Sequence, residues 1–267
     1  MLLGLSIADS PDHDGYGEAM TNTALITGCS SGYGLETARY FHEHGWNVIA
    51  AMRTPRPDVL PRSDRMRVIA LDVTKPEQIA SAIAISGPID VLVNNAGIGL
   101  MGAFEVTPAS MIREIFETNT FGPMAMTQAV IPQMRERRTG VIVNVTSSAT
   151  LKPFPLVAVY TASKTAIEGF TASLALELET FGVRAKLVEP GYGPNTAFTS
   201  NSGSRMDGLF PPPYAPYAEQ VFAAAMSPAA VTHASDVAEV VYRAANDPSG
   251  RLRYAAGADA IALQSPA

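Results

Sequence analysis

Tyr160 and Lys164 stand four residues apart in the stretch VYTASKTAIEGF. On a helix, that spacing brings both side chains onto one face, where they can meet. A cation beside a phenol favours the phenolate and lowers the pKa at which the tyrosine gives up its proton. A phenol tuned in this way can exchange a proton with an alcohol or a carbonyl oxygen. Ordinary pairs on a helix surface share the same spacing, so the surrounding residues have to decide. Thirteen residues before the tyrosine, Ser147 closes the apolar run GVIVNVTS, with Ser148 beside it as a rival. A hydroxyl at the end of a buried strand can bond a substrate oxygen and stabilise charge that develops there.

A second constellation lies near the start of the chain. TALIT reads as a strand and runs directly into TGCSSGYG, Thr27 to Gly34, ahead of a helix-like segment. Gly28, Gly32 and Gly34 suit a tight turn, close approach of backbone to a pyrophosphate, and close packing of helix on strand. The free N–H groups of the helix N-terminus then stabilise phosphate. At the end of the next strand, AAMRT puts Met52 where an acid would bond the ribose 2′-hydroxyl of NAD, and Arg53 follows. A guanidinium pairs with a 2′-phosphate, which favours NADP(H) over NAD(H). Ser30 and Arg56 are further candidates for that contact.

These groups need a scaffold, and the chain alternates short β-branched runs with helix-like segments. TALIT, WNVIAAM, MRVIALDV, IDVLVNN, GVIVNVTS and GVRAKLVEP are nearly continuous in apolar residues, as strands buried on both faces are. RLRYAAG adds a seventh. Between them LETARYFHEHG, PEQIASAIAIS, the long stretch PASMIREIFETNTFGPMAMTQAVIPQMRER, and KTAIEGFTASLALELETFG read as helices. The expected fold is α/β: one Rossmann-type, doubly wound parallel sheet of about seven strands with helices on both faces. RTPRPDVLPRSDR, with three prolines, reads as a loop or single turn. A Gly-, Pro- and Ser-rich region near 192–226 reads as a substrate lid. Residues 1–19 read as an extension, disordered or on the surface, and 20–267 as a single catalytic domain.

Composition narrows the partners. With 267 residues, 47% of them hydrophobic, the chain can fill a sizeable core, and its net charge of -6 argues against a nucleic-acid or anionic-membrane surface. The N-terminus has no basic start or long apolar run of the secretory kind. The single cysteine, Cys29, excludes an intrachain disulfide and suits a reducing cytoplasm. It reads as a packed small residue, and His13, His42, His44 and His233, which lack metal-ligand spacing, read as surface residues.

Over Thr23 to about Gly257 these residues resemble the short-chain dehydrogenase/reductase family, with the branch of steroid and retinol dehydrogenases and bacterial oxidoreductases suggested by CSSG, AAMR and LRYAAGADA. The resemblance implies that Gly28, Ser30, Ser31, Gly32, Tyr33 (in place of the usual isoleucine) and Gly34 form the cofactor loop. It implies that Asp72 and Val73 of LDVT hold adenine, and that Asn95, Ala96 and Gly97 of NNAG line the cofactor. Asn119, Ser147, Tyr160 and Lys164 match the catalytic tetrad, the asparagine holding a water that links the lysine to solvent. Tyr160 and Lys164 also meet the nicotinamide ribose. Pro190 and Gly191 match the turn beside the nicotinamide, and Thr196, one residue later than usual, matches the threonine on its carboxamide.

The reading that follows is an NADP-dependent carbonyl reductase or alcohol dehydrogenase, with Tyr160 as general acid and base and its pKa lowered by Lys164 and the oxidised nicotinamide. Apolar residues around the site, among them Ile98, Leu100, Phe154 and Phe198, suit a small hydrophobic ketone, aldehyde or secondary alcohol. A homodimer or homotetramer through the long helices is a further implication of the resemblance. The alternatives are an NAD-preferring dehydrogenase and a dinucleotide-sensing protein without turnover; epimerases and dehydratases of this fold usually carry a larger C-terminal sugar-nucleotide domain.

Overall fold

The computed structural model describes residues 21–194, 196, 203–226 and 230–264. The expected extension over 1–19, part of the lid and Phe198 lie outside the described residues.

Seven strands form one sheet: β1 (Thr23–Thr27), β2 (Asn47–Met52), β3 (Met66–Ala70), β4 (Val91–Asn94), β5 (Gly140–Val145), β6 (Val183–Pro190) and β7 (Arg253–Ala256). Every pairing is parallel, in the order β3-β2-β1-β4-β5-β6-β7. This is the Rossmann-type sheet anticipated from the apolar runs. Side chains alternate across it. Ala24 and Ile26 of β1 join a core with Phe41, Trp46 and Val241, whereas Leu25 between them joins Met126, Val130 and Leu174 on the other face.

The first face is covered by α1 (Gly32–Glu43) and the opposite face by α2 (Pro76–Ser86), α4 (Gly122–Arg137) and α5 (Ala158–Glu179). Proline opens α2, where its missing N–H costs nothing. The long helix expected across 108–137 is broken: α3 (Ala109–Phe116) ends in a π-turn, Glu117–Phe121, before α4 begins. Such turns bulge the helix and re-aim its side chains. Helix α5 begins well before Lys164, so Tyr160 and Lys164 both lie within it.

Three elements follow the site-bearing strands. Helix α6 (Ala215–Met226) closes the expected lid region, while α7 (Ala234–Asn246) and α8 (Ala258–Gln264) were not among the expected helices. An apolar stripe through Val237, Val240, Val241 and Ala244 packs α7 on the α1 face, and Asp236 accepts from the His233 N–H at 2.9 Å as half of a capping box. The proline-rich stretch after β2 contains a single 3₁₀ turn, Pro57–Val59, as its composition requires. Among the described residues no helix is long and apolar enough to cross a membrane.

Strand order reverses between β1 and β4, and the crevice beyond the C-terminal strand ends at such a switch point is where ligands bind in open α/β sheets. The glycine loop, Asn95–Gly97, Ser147 and Gly191 all follow those ends.

Candidate active site

The glycine loop is tied to β4 by one hydroxyl. Thr27 Oγ1 accepts from the N–H groups of Asn95 and Ala96, each at 3.0 Å, while Asn95 Nδ2 donates to Thr27 O at 3.0 Å. Gly28 has φ of 76°, and a Cβ there would stand 2.8 Å from Ala96 Cα. At Gly34 a Cβ would stand 2.3 Å from Asn95 Nδ2 and 2.4 Å from Gly28 O. Only glycines allow the loop to fold this tightly against Asn95 and Ala96. Ser31 takes the N-cap position of α1, and Cys29 is buried, its thiol pointing to Ile26 O at 3.1 Å. Burial pushes that thiol's pKa well above its ordinary range.

Beyond β2, Met52 is buried and Arg53 exposed. Arg56 is engaged with Asp58 at 3.8 Å. The pKa of Asp72 is pulled in two directions: partial burial raises it, but hydrogen bonds from Thr74 and the charges of Arg53 and Lys75 outweigh that and lower it. Its Oδ1 accepts from Thr74 N at 2.9 Å and Oγ1 at 2.8 Å, and Arg53 therefore shares a field with the LDVT carboxylate. Val73 packs on Gly122, where a Cβ would come within 2.7 Å of Val73 Cγ2.

At the other side of the crevice, Ser147 caps a 3₁₀ turn, its Oγ accepting from Ala149 N at 3.2 Å. The Tyr160 hydroxyl hydrogen-bonds to Ser147, which selects Ser147 over the buried Ser148 as its partner. Lys164 is 5% exposed, and its Nζ donates to Val145 O at 3.1 Å. A Cβ on Gly97 would lie 3.3 Å from both Lys164 Nζ and Asn119 Oδ1, so NNAG, the asparagine and the lysine converge.

The electrostatics differ from the expected lowering of the phenol. Burial pushes Tyr160 up to about 12, with only the Ser147 bond pulling down. Lys164 is lowered to about 8 by burial, opposed by the charge of Glu168. Its ammonium is directed at a main-chain carbonyl, and loss of water dominates both groups.

Asn119 is held by three side-chain hydrogen bonds. Its Oδ1 accepts from Ile98 N at 2.8 Å, while Nδ2 donates to Ile98 O at 2.9 Å and to Ser163 Oγ at 3.1 Å. The side-chain amide thus bonds protein atoms through both its oxygen and its nitrogen. Ser163 in turn donates to Tyr160 O at 2.7 Å, linking the π-turn to the tyrosine's own main chain.

The turn after β6 is held from two sides. Tyr33 Oη donates to Gly191 O at 3.2 Å, and Asp259 of α8 accepts from Tyr192 N at 2.6 Å and from Thr232 Oγ1 at 2.5 Å. Thr196 Oγ1 donates to Gly193 O at 2.8 Å and packs against Gly32, so the residue displaced by one position still reaches the glycine loop. Sequence reasoning missed Thr27, Ser163, Glu168 and Asp259. Each acts through a partner far away in the chain. Among the described residues no cluster of three or more His, Cys, Asp or Glu could hold a metal ion.

Residues 22–207 match the family model described as short chain dehydrogenase. The chain is 39% identical over 181 residues to a 3-ketodihydrosphingosine reductase of Bacteroides thetaiotaomicron, covering 66% of this chain and 65% of that protein. It therefore spans just under two thirds of that relative's length. A short-chain dehydrogenase from Streptomyces avermitilis superposes with a TM-score of 0.78 at 33% identity, covering 91% of this chain and 90% of the other. A closed serine dehydrogenase complexed with NADP+ gives a TM-score of 0.73 at 30% identity, over 87% of this chain and 94% of that one.

Proposed function

The chain belongs to the short-chain dehydrogenase family, and from that premise we propose that it is an NADP(H)-dependent oxidoreductase interconverting a small hydrophobic carbonyl compound and the corresponding secondary alcohol. The observation that carries the reading is the bond between Tyr160 and Ser147 at the crevice, with Lys164 one helical turn further on.

The residues fit a nicotinamide dinucleotide. Gly28 and Gly34 let the loop close directly on Asn95 and Ala96, which leaves its backbone bare next to a helix N-terminus suited to pyrophosphate. Asp72 and Val73 would hold the adenine, Arg53 the 2′-phosphate, and Asn95, Ala96, Gly97, Pro190, Gly191 and Thr196 the nicotinamide half. When bound, the cofactor supplies or receives the hydride.

The chain's own part is to hold the substrate oxygen and move one proton. Ser147 bonds the carbonyl oxygen and stabilises the charge that grows on it. Tyr160 gives its proton to that oxygen in reduction and takes it back in oxidation. Lys164 positions the ribose and keeps positive charge one helical turn from the phenol, and Asn119 holds the water that links the lysine to solvent. Buried Ile98, Leu100, Val159 and Leu209 line up beside the site, supporting an apolar substrate. The keto substrate in the Bacteroides relative's name agrees with a carbonyl.

An exposed Phe121 at the end of the π-turn, beside the half-buried Met124 and Ile131 of α4 and Phe170 of α5, supports a homo-oligomer. A sensor without turnover is disfavoured by the complete set of Asn119, Ser147, Tyr160 and Lys164. Fluorescence titration with NADPH and NADH, followed by a panel of hydrophobic ketones, aldehydes and alcohols, tests the proposal. Tight NADPH binding with turnover of a panel member supports it; binding of neither coenzyme overturns it.

A further inference from the structure

Behind Ser147 and Lys164 two buried carboxylates meet an arginine that is partly open to solvent, a cluster the mechanism above does not use. Glu168 sits on α5 one helical turn beyond Lys164 and is 5% exposed. Its Oε1 accepts from Thr146 Oγ1 at 3.0 Å and from Thr150 Oγ1 at 2.5 Å. Thr150 Oγ1 also reaches Ser147 O at 2.6 Å, so the single hydroxyl proton is shared between the carboxylate and the main chain of Ser147. Glu168 Oε2 accepts from Arg253 Nη1 at 2.8 Å. The same guanidinium nitrogen pairs with Glu189, which is fully buried on β6, and Gln264 Nε2 donates to the second oxygen of Glu189 at 3.0 Å.

Burying two carboxylates around one guanidinium is costly, and stability alone is a poor reason for it, since apolar residues of like volume often do as well. Both contacts that Glu168 makes toward the crevice are to groups around the reacting atoms. Thr146 and Thr150 flank Ser147, and the Glu168 charge acts on Lys164. The two anchors Arg253 and Gln264 come from beyond residue 207, outside the stretch that matches the family model.

We propose that Glu168 is a positioning residue for the site: through Thr146 and Thr150 it fixes the turn that carries Ser147, and from one helical turn away it stabilises the ammonium of Lys164, while Arg253 holds it in place. The charged and titratable groups around this pair are Arg253 on β7 and Glu189 on β6 toward Glu168, and Tyr160 on α5 toward Lys164; Asn119 in the π-turn is the polar neighbour of the lysine. The role in turnover rests on the proposed reductase function, whereas the effect on Lys164 does not.

The test measures the two separately in the full chain. NMR titration of isotope-labelled lysine Cε, with Lys164→Met for assignment, follows the Lys164 midpoint without coenzyme. Glu168→Gln, which keeps the shape and removes the charge, is expected to move that midpoint down by about one pH unit, and Glu168→Asp to restore it. A midpoint unchanged in Glu168→Gln overturns the electrostatic half. Thr150→Val leaves every charge in place and is expected to lower kcat for carbonyl reduction about tenfold with KM for NADPH unchanged. Wild-type kcat in Thr150→Val, where the wild-type protein itself turns over, overturns the positioning half. Absence of turnover in the wild type counts against the reductase reading and leaves the NMR result to decide the electrostatics; should Glu168→Gln fail to fold, a lowered Lys164 midpoint in Glu168→Asp relative to wild type would contradict the charge argument.

Discussion

Asn119 grips Ile98 by both of its peptide groups, accepting from the N–H at 2.8 Å and donating to the carbonyl at 2.9 Å. A π-turn therefore acts as a strut under the segment that follows β4, its buried amide bonded at both oxygen and nitrogen as buried polar groups generally are. Asn119→Ala leaves both Ile98 groups and Ser163 short of a partner. Each orphaned group costs about 1–3 kcal/mol. Denaturant unfolding is expected to show a loss in that range or above it, with kcat lowered because Ile98 and Ser163 no longer hold their places; a stability within experimental error of wild type contradicts the strut.

At Gly34 the backbone is unstrained and the restriction is purely steric, since a Cβ would stand 2.3 Å from Asn95 Nδ2 and 2.4 Å from Gly28 O. Gly34→Ala must push the loop from β4. A destabilisation of about 1–3 kcal/mol is expected, together with weaker binding of NADPH and NADH alike, read by fluorescence titration. Unchanged affinity for both would remove the loop from the cofactor site.

The depressed pKa of Lys164 makes stability depend on pH. Its value of about 8 in the fold lies below the ordinary 10.5, so between those values the unfolded chain binds the proton that the folded chain has released. The lysine's stability contribution is present in full above the unfolded value and is lost as pH falls through about 8. Compared with Lys164→Met, the wild-type protein is expected to gain roughly 3 kcal/mol between about pH 7 and about pH 10.5. Unfolding free energies of the two proteins across that range check it, and a constant difference contradicts it. Tyr160, raised to about 12, acts in the opposite sense only above pH 10 and is common to both proteins.

Arg53 is exposed and lies in the field of Asp72. Arg53→Ala is expected to weaken NADPH binding about tenfold or more, the loss of a charge-assisted hydrogen bond, while leaving NADH nearly unaffected. Met52→Asp with Arg53→Ala should turn the preference toward NADH. Competition titrations that show the same NADPH-to-NADH ratio in variant and wild type would exclude Arg53 from the 2′-phosphate contact.

Much of this architecture was legible because it is local. Buried parallel strands announce themselves as apolar runs, and TALIT through RLRYAAG found all seven; the glycine spacing after β1 marked the crevice. The interruption at Glu117–Phe121 was not legible, since ETNTF carries no helix breaker until Gly122 and the bulge is imposed by Asn119 reaching Ile98. Helix α7 has a clear apolar stripe through Val237, Val240, Val241 and Ala244, yet the sequence reading assigns no helix there. The phenol's pKa was misjudged for a related reason: spacing shows that Tyr160 and Lys164 share a helix face, but burial and the direction of the ammonium toward Val145 are set by the whole sheet. Glu168 lies one helical turn beyond Lys164, yet its partners Thr150, Glu189 and Arg253 come from other elements, and nothing in the order of residues joins them.

In the proposed function Tyr160 moves the proton. Tyr160→Phe removes only the hydroxyl and keeps the ring, so NADPH affinity is expected to stay within about twofold of wild type while kcat/KM for carbonyl reduction falls by at least about a hundredfold, the share ascribed to general acid catalysis. Turnover of the Phe variant at the wild-type rate would contradict the assignment of Tyr160 as the acid and base of this site.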